Sequence, residues 1–187
     1  MQEFNPAQPP MMRPRPKLGF MEAVKICLTE KYCCFKGRAR RSEFWWFVLF
    51  QQIVSWVLTP IVFVIYFANH TIQDYLSDPV SLTTSPGIIL LGVVSLALLL
   101  PSLGASVRRL HDTGRTGKWL LLPIAFYIAV IVSSILSAMY PELVISLSIV
   151  ILLLYLAMLA SVIILIVWWC QDSDRQENAY GPSPKYQ

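Results

Sequence analysis

Two stretches hold most of the side chains able to do chemistry: Gly37-Arg38-Ala39-Arg40-Arg41-Ser42-Glu43-Phe44-Trp45-Trp46 and Arg108-Arg109-Leu110-His111-Asp112-Thr113-Gly114-Arg115-Thr116-Gly117. If positive charge were the only requirement, Lys would serve as well. Both stretches instead use mainly Arg, interleaved with Glu43, His111 and Asp112. A guanidinium is a planar fork matched to a carboxylate or a phosphate. The expected chemistry is therefore paired-charge recognition. Glu43 or Asp112 would pair with Arg38, Arg108 or Arg109, leaving another Arg to face a phosphate headgroup. The candidate cluster is Arg38, Arg40, Arg41, Glu43, Arg108, Arg109, His111, Asp112 and Arg115.

Other chemistries are poorly supported. His111-Asp112 could form an acid–base pair, but neighbours in sequence do not face each other on a helix. No Ser or Cys nucleophile is placed beside them, and a His next to an Asp in a loop is more often structural. One His with scattered carboxylates lacks metal-ligand spacing. The thiols Cys27, Cys33, Cys34 and Cys170 form no CxxC or Cys/His pattern, and they read as unpaired small hydrophobes near an interface. Neither a catalytic residue nor a cofactor is expected.

The elements that must position the cluster are apolar. The chain has 187 residues, 56% of them hydrophobic and 14% charged, with a mean hydropathy of +0.57. Four runs, at about 44–68, 87–107, 119–139 and 143–169, are each long enough to cross a hydrocarbon core about 30 Å thick. A soluble domain of this size could not cover four such helices. The fold class expected is an all-α polytopic membrane protein of four transmembrane helices.

All 15 Lys and Arg residues precede the first run, lie between the second and third, or follow the fourth. The loops Asn69–Pro86 and Tyr140–Glu142 contain none. By the positive-inside rule both termini lie in the cytoplasm, N-in/C-in. Of the 11 acidic residues, only Asp74, Asp78 and Glu142 fall outside, so the inner face carries a net +7. Because these bases hug the membrane, anionic lipid is the expected partner, with a membrane-protein partner or a homo-oligomer as further options and no nucleic acid. The thiols then face a reducing compartment, where structural disulfides are not expected.

Aromatic residues support the same topology without using charge. Trp45, Trp46, Trp119, Trp168 and Trp169 mark the inner ends of spans, where indole prefers the headgroup level, and only Trp56 lies inside one. Pro60, Pro101 and Pro123 interrupt three spans, and each frees a carbonyl one turn back for a neighbouring helix or a Ser/Thr to satisfy. A bent, closely packed second helix is expected, with Ser95, Ser102 and Ser106 alongside Gly92, Gly104 and Ala105. Tyr140-Pro141-Glu142 is a minimal turn that makes a hairpin of the last two spans. Ahead of the spans, 1–16 reads as a disordered Pro- and Gln-rich tail, and 17–185 as one integral membrane domain. That domain opens with a short amphipathic helix carrying Phe20, Val24, Cys27 and Leu28 on one face. Gly37 is expected to end it. The first run begins too late and is too long for a cleaved leader, and the sequon at Asn69-His70-Thr71 reads as coincidence.

The same stretches carry a resemblance. The sequence resembles the bacterial membrane proteins grouped as the domain-of-unknown-function 805 family, through Phe35-x-Gly37-Arg38-Ala39-Arg40-Arg41-Ser42-Glu43-Phe44-Trp45. The match continues through Pro101…Arg108-Arg109-Leu110-His111-Asp112-Thr113-Gly114-Arg115-x-Gly117-x-Trp119 and ends with Asn178-x-Tyr180-Gly181-Pro182-x-Pro184. Three motifs in order cover about residues 20–185. The resemblance implies a small bacterial inner-membrane protein with no assigned reaction. In shorter members a single apolar stretch separates the second motif from the third. Here about fifty residues intervene, enough for the last hairpin, so the inside placement of the tail rests on this chain's own charges.

The expected function is non-enzymatic, a cytoplasmic arginine rim that binds anionic lipid or a partner protein. A small transporter or channel using the Pro60 and Pro101 bends is the alternative, although no ionisable residue lies deep in a span to mark a pathway. A lipid-modifying enzyme built on His111-Asp112 is the weaker one.

Overall fold

A computed structural model of the chain describes residues 15–78 and 80–186. Most of the tail expected over 1–16 lies outside the described residues. Those that are described fold into helices and contain no strand, only a single bridge between Asn178 and Gly181. Four helical segments are long and apolar enough to span a membrane: Arg41–Asn69, Pro86–Asp112, Gly117–Met139 and Pro141–Cys170. Their Leu, Ile and Val side chains are widely exposed, as they must be when lipid rather than water surrounds them.

The helices in chain order are α1 (Phe20–Lys25), α2 (Arg41–Asn69), α3 (Ile72–Ser77), α4 (Val80–Thr83), α5 (Pro86–Asp112), α6 (Leu121–Met139) and α7 (Val144–Cys170). Two compact units divide the chain. One comprises residues 16–36 and 42–106, the other 37–41 and 107–186 together with Arg15.

In the first unit, α1 continues as a π-helical turn over Ile26–Glu30. Ala23 and Cys27 are buried and Phe20, Val24 and Leu28 of the expected face are half-buried, while Glu22, Lys25 and Glu30 are exposed. Phe20 meets the Trp46 ring edge-on at 5.8 Å, and the Trp46 indole donates to Leu18 O at 3.1 Å. The helix ends at Glu30, well before Gly37, which occupies a non-helical stretch. The Pro101 problem is solved in this unit. Pro101 leaves the carbonyl of Ala97 without its helical donor, and the Tyr32 hydroxyl donates to it at 2.5 Å. A phenol from outside the spans does this, whereas the Ser102 hydroxyl bonds Gln51 Oε1 at 3.4 Å.

The segment between α2 and α5 is structured as α3 and α4. Thr71 caps α3 in a capping box with Asp74, which also gives that residue of the sequon a structural task. The Thr71 amide, and then its hydroxyl, hold the exposed Asp74 carboxyl below the usual carboxylate range.

In the second unit, α6 and α7 pack as the expected hairpin through the 3-10 turn Pro141–Leu143. Two boundaries differ from expectation in a way that matters. Arg41 opens α2 three residues before Phe44, and α5 runs five residues beyond Val107. Hydropathy marks where the hydrocarbon ends, but helical hydrogen bonding continues beyond it. Arg108, Arg109, His111 and Asp112 are therefore helical and not in a loop. Gly114 ends α5 in a Schellman motif: its N–H donates to His111 O at 3.0 Å and the Arg115 N–H to Leu110 O at 3.0 Å. Its φ of +72° is the left-handed conformation this ending needs.

Candidate functional site

Asp112 closes α5 with no exposed surface, a poor place for an anion because the helix dipole is negative there. Two guanidiniums offset that cost. Arg38 Nε donates to Asp112 Oδ1 at 2.9 Å, and Arg109 Nη1, one helical turn away, donates to Oδ2. The Ser173 hydroxyl donates to Oδ2 at 2.5 Å.

Arg38 is itself buried, and its whole fork is used. Nη1 donates to Gln176 O at 2.9 Å and Gly181 O at 3.2 Å, and Nη2 to Asp174 O at 2.7 Å and Asp112 O at 3.2 Å. With Nε on Asp112, all five N–H donors of the guanidinium are met. A Lys has three donors and no fixed plane, so it could not span these five acceptors.

Arg109 performs a second task at the end of α7. The last carbonyls of a helix have no intrahelical partner. Arg109 Nε donates to Trp169 O at 3.0 Å and Nη2 to Gln171 O, while Arg41 Nη1 donates to Cys170 O at 3.3 Å. Arginines thus cap three successive carbonyls of a very apolar helix. One carboxylate cannot neutralise both buried guanidiniums. The negative end of the α7 dipole, worth about half a charge, supplies part of the remainder.

The flanking segments are fastened to the same place. Ala39 N–H donates to Arg108 O at 3.0 Å, and Arg109 Nη1 also reaches Ala39 O at 3.4 Å. Gly37 O accepts from His111 Nδ1 at 3.2 Å, which places that proton on Nδ1. The His111 ring stacks on Tyr180, with centroids 3.7 Å apart and planes 3° apart. Asn178 Nδ2 donates to His111 O at 3.0 Å, and its own Oδ1 accepts from Tyr180 N–H at 2.9 Å. His111 and Asp112 therefore face different partners and do not form an acid–base pair. Among the described residues, no group of three His, Cys, Asp or Glu side chains could hold a metal ion.

Toward the surface the pattern loosens. Arg41 and Lys185 share Asp172, at 3.0 Å and 2.6 Å. Burial pushes the Asp172 carboxyl up. The Lys185 hydrogen bond, the Ser173 amide and the charges of Arg41 and Lys185 together outweigh it and hold the group below the carboxylate range. The Asp172 hydrogen bond in turn raises Lys185 above its ordinary value. Arg115 lies over the Trp168 ring at 4.6 Å and donates to Gln171 Oε1 at 2.7 Å and Thr113 O at 3.3 Å. Trp119 meets Trp168 edge-on at 5.0 Å.

Of the nine residues in the candidate cluster, eight lie in this unit, where Arg38, Arg40, Arg108, Arg109 and Asp112 are buried. Arg40 Nη2 donates to Arg15 O at 3.0 Å. Glu43 belongs to the other unit, in the first turn of α2, with Lys31 Nζ at 3.9 Å. Sequence reasoning did not assign the tail a part in the cluster. The Asn178-x-Tyr180-Gly181 motif was the available signal, since only a segment held against something needs an Asn turn and an aromatic at fixed spacing.

These features define a class: a polytopic helical membrane protein with its loop, helix end and tail bound into one arginine–carboxylate knot. Residues 32–182 match the family model described as "Protein of unknown function (DUF805)", and the chain belongs to that family. It is 27% identical over 161 residues to the inner membrane protein YhaI of Escherichia coli (strain K12), covering 86% of this chain and 94% of that one. To the inner membrane protein YhaH of the same strain it is 27% identical over 157 residues, covering 83% and 91%. No solved structure matches it.

Proposed function

We propose that this protein is a non-enzymatic membrane protein that engages anionic lipid headgroups from its cytoplasmic face, with N-in/C-in topology. The observation that carries the reading is a division of labour among its cations. Arg38 and Arg109 spend their donors on internal acceptors, so they hold the surface together and do not bind ligand. Half-buried Arg115 spends Nη1 on Thr113 O and Gln171 Oε1 but keeps Nε and Nη2 open among the described residues, and Lys118 is exposed; both are set among interfacial tryptophans. Thr116, Lys118 and Trp119 line a shallow depression of about 360 Å³ that continues over Leu121, Leu122 and Ala125. A cation and an indole at the mouth with an aliphatic floor match a phosphate headgroup and the start of its acyl chain. The charge asymmetry of the loops supports the inward orientation.

The test is recovery of the protein in native lipid, followed by mass spectrometry of what accompanies it. The Arg115→Gln/Lys118→Gln variant is expected to lose most of its bound anionic lipid while keeping its zwitterionic lipid. Retention of a wild-type anionic complement would sink the reading. A stoichiometric protein lost in place of lipid would make the same surface a protein contact.

A further inference from the structure

In the first unit, α2 and α5 line a groove of about 420 Å³ whose chemistry is unusual for a membrane span. Gln51, Gln52, Ser55 and Thr59 line it from α2, and Ser95 and Ser102 from α5. On α2 the polar positions recur at 51/52, 55 and 59, so they form one stripe along the helix. Gln52, Ser55 and Ser95 are exposed. Trp56, the one tryptophan away from a span end, adjoins this stripe at 75% exposure.

The serines of α7 spend their hydroxyls on their own helix or the turn that leads into it: Ser146 donates to Leu143 O, Ser148 to Val144 O and Ser161 to Met158 O. Gln52, Ser55, Trp56, Thr59 and Ser95 have no side-chain hydrogen bond among the described residues. Amides, hydroxyls and an indole N–H facing hydrocarbon without partners are costly. The hydroxyls can turn back onto their own helix, but the Gln52 amide and the Trp56 indole cannot, so their partner comes from outside the unit.

Three features define that partner. It is uncharged where it meets the groove, because no ionisable side chain lines it. It carries both donors and acceptors. Its far side tolerates lipid, because the groove opens sideways into the membrane. A helix with one polar stripe meets all three conditions, and a free solute fails the last. From these features we infer that the partner is a second copy of this chain, packed through α2 about a two-fold axis. Gln, Ser and Thr each donate and accept, so the stripe is self-complementary, which is the requirement of an isologous interface. Trp56 supplies the large buried anchor that such contacts favour, and Ser55, midway along the stripe, lies nearest the axis.

The test uses the full chain with Cys27, Cys33, Cys34 and Cys170 replaced by Ser. Ser55→Cys in native membranes, treated with a mild thiol oxidant, is expected to give a covalent dimer at twice the monomer mass. Ile128→Cys, also exposed, on α6, is expected to give almost none. Adding Gln52→Leu should lower the Ser55→Cys yield about three-fold, the effect of one interhelical hydrogen bond in a membrane, with an unchanged thermal midpoint. Subunit counting on the unmodified chain in lipid nanodiscs should find two copies. Single copies there, equal yields at positions 55 and 128, or cross-linking of Ser55→Cys to a different polypeptide would each overturn the inference.

Discussion

At the residue scale, the distinction that matters is between arginines that are filled and arginines that are available. Arg38 meets five acceptors and Arg109 joins Asp112 to the end of α7, so shape matters at both positions as well as charge. Arg38→Lys or Arg109→Lys should cost about 2–3 kcal/mol, because buried carbonyls and part of Asp112 lose their donors. The comparison is of thermal unfolding in detergent, with Arg115→Lys as the control expected to stay near wild type. The outer clasp is set by pH. Asp172 is depressed, so its contribution is complete above the ordinary carboxylate pKa and fades as pH falls through the lower folded value. Lys185 is raised, so its contribution holds below the ordinary amine pKa and is lost as pH climbs through the folded value. Protease cleavage near Lys185 should therefore stay slow from about pH 5 to 10 and accelerate on both sides. A flat profile would remove the clasp from the account.

At the element scale, two local solutions keep long helices intact in lipid. The Tyr32 hydroxyl on Ala97 O compensates for Pro101. Tyr32→Phe should destabilise by about 1–2 kcal/mol in the wild-type background and by much less in Pro101→Ala, where an N–H returns to Ala97. Equal effects in both backgrounds would show that the phenol acts through packing. Gly114→Ala should cost about 1–2 kcal/mol through its left-handed backbone, measured the same way. The four spans, the hairpin turn and the amphipathic entry helix were all readable from hydropathy, because a bilayer imposes length and apolarity on sequence. Where each helix ends was not readable. The Schellman bonds after Asp112 and the arginine caps after Trp169 depend on partners far away in the chain. Tyr32 was unreadable as a donor for the same reason, since 65 residues separate it from Ala97.

At the scale of the whole molecule, the interior and the membrane surface pose separate problems for the cations. The cluster was legible as a set of residues, and the pairing of Asp112 with Arg38 and Arg109 was among those anticipated. Its depth was not legible, because the groups that fill the forks are mainly backbone carbonyls of the tail, and carbonyls leave no mark in composition. The tail is anchored beside His111 through Asn178 and Tyr180, so the third motif and the second lie at one end of the second unit. Reporter fusions after residue 187 and within 113–117 should therefore report the same compartment, and the cytoplasm on the proposed topology.

Buried Arg38 and Arg109 act as fasteners, whereas Arg115 and Lys118 act as contacts. One experiment tests this directly: thermal unfolding of Arg38→Lys, Arg109→Lys and Arg115→Lys side by side in the same detergent. Midpoints lowered by several degrees are expected for the first two and an unchanged one for the third. Three curves superimposed on the wild type would contradict that division, because simple positive charge would then be enough.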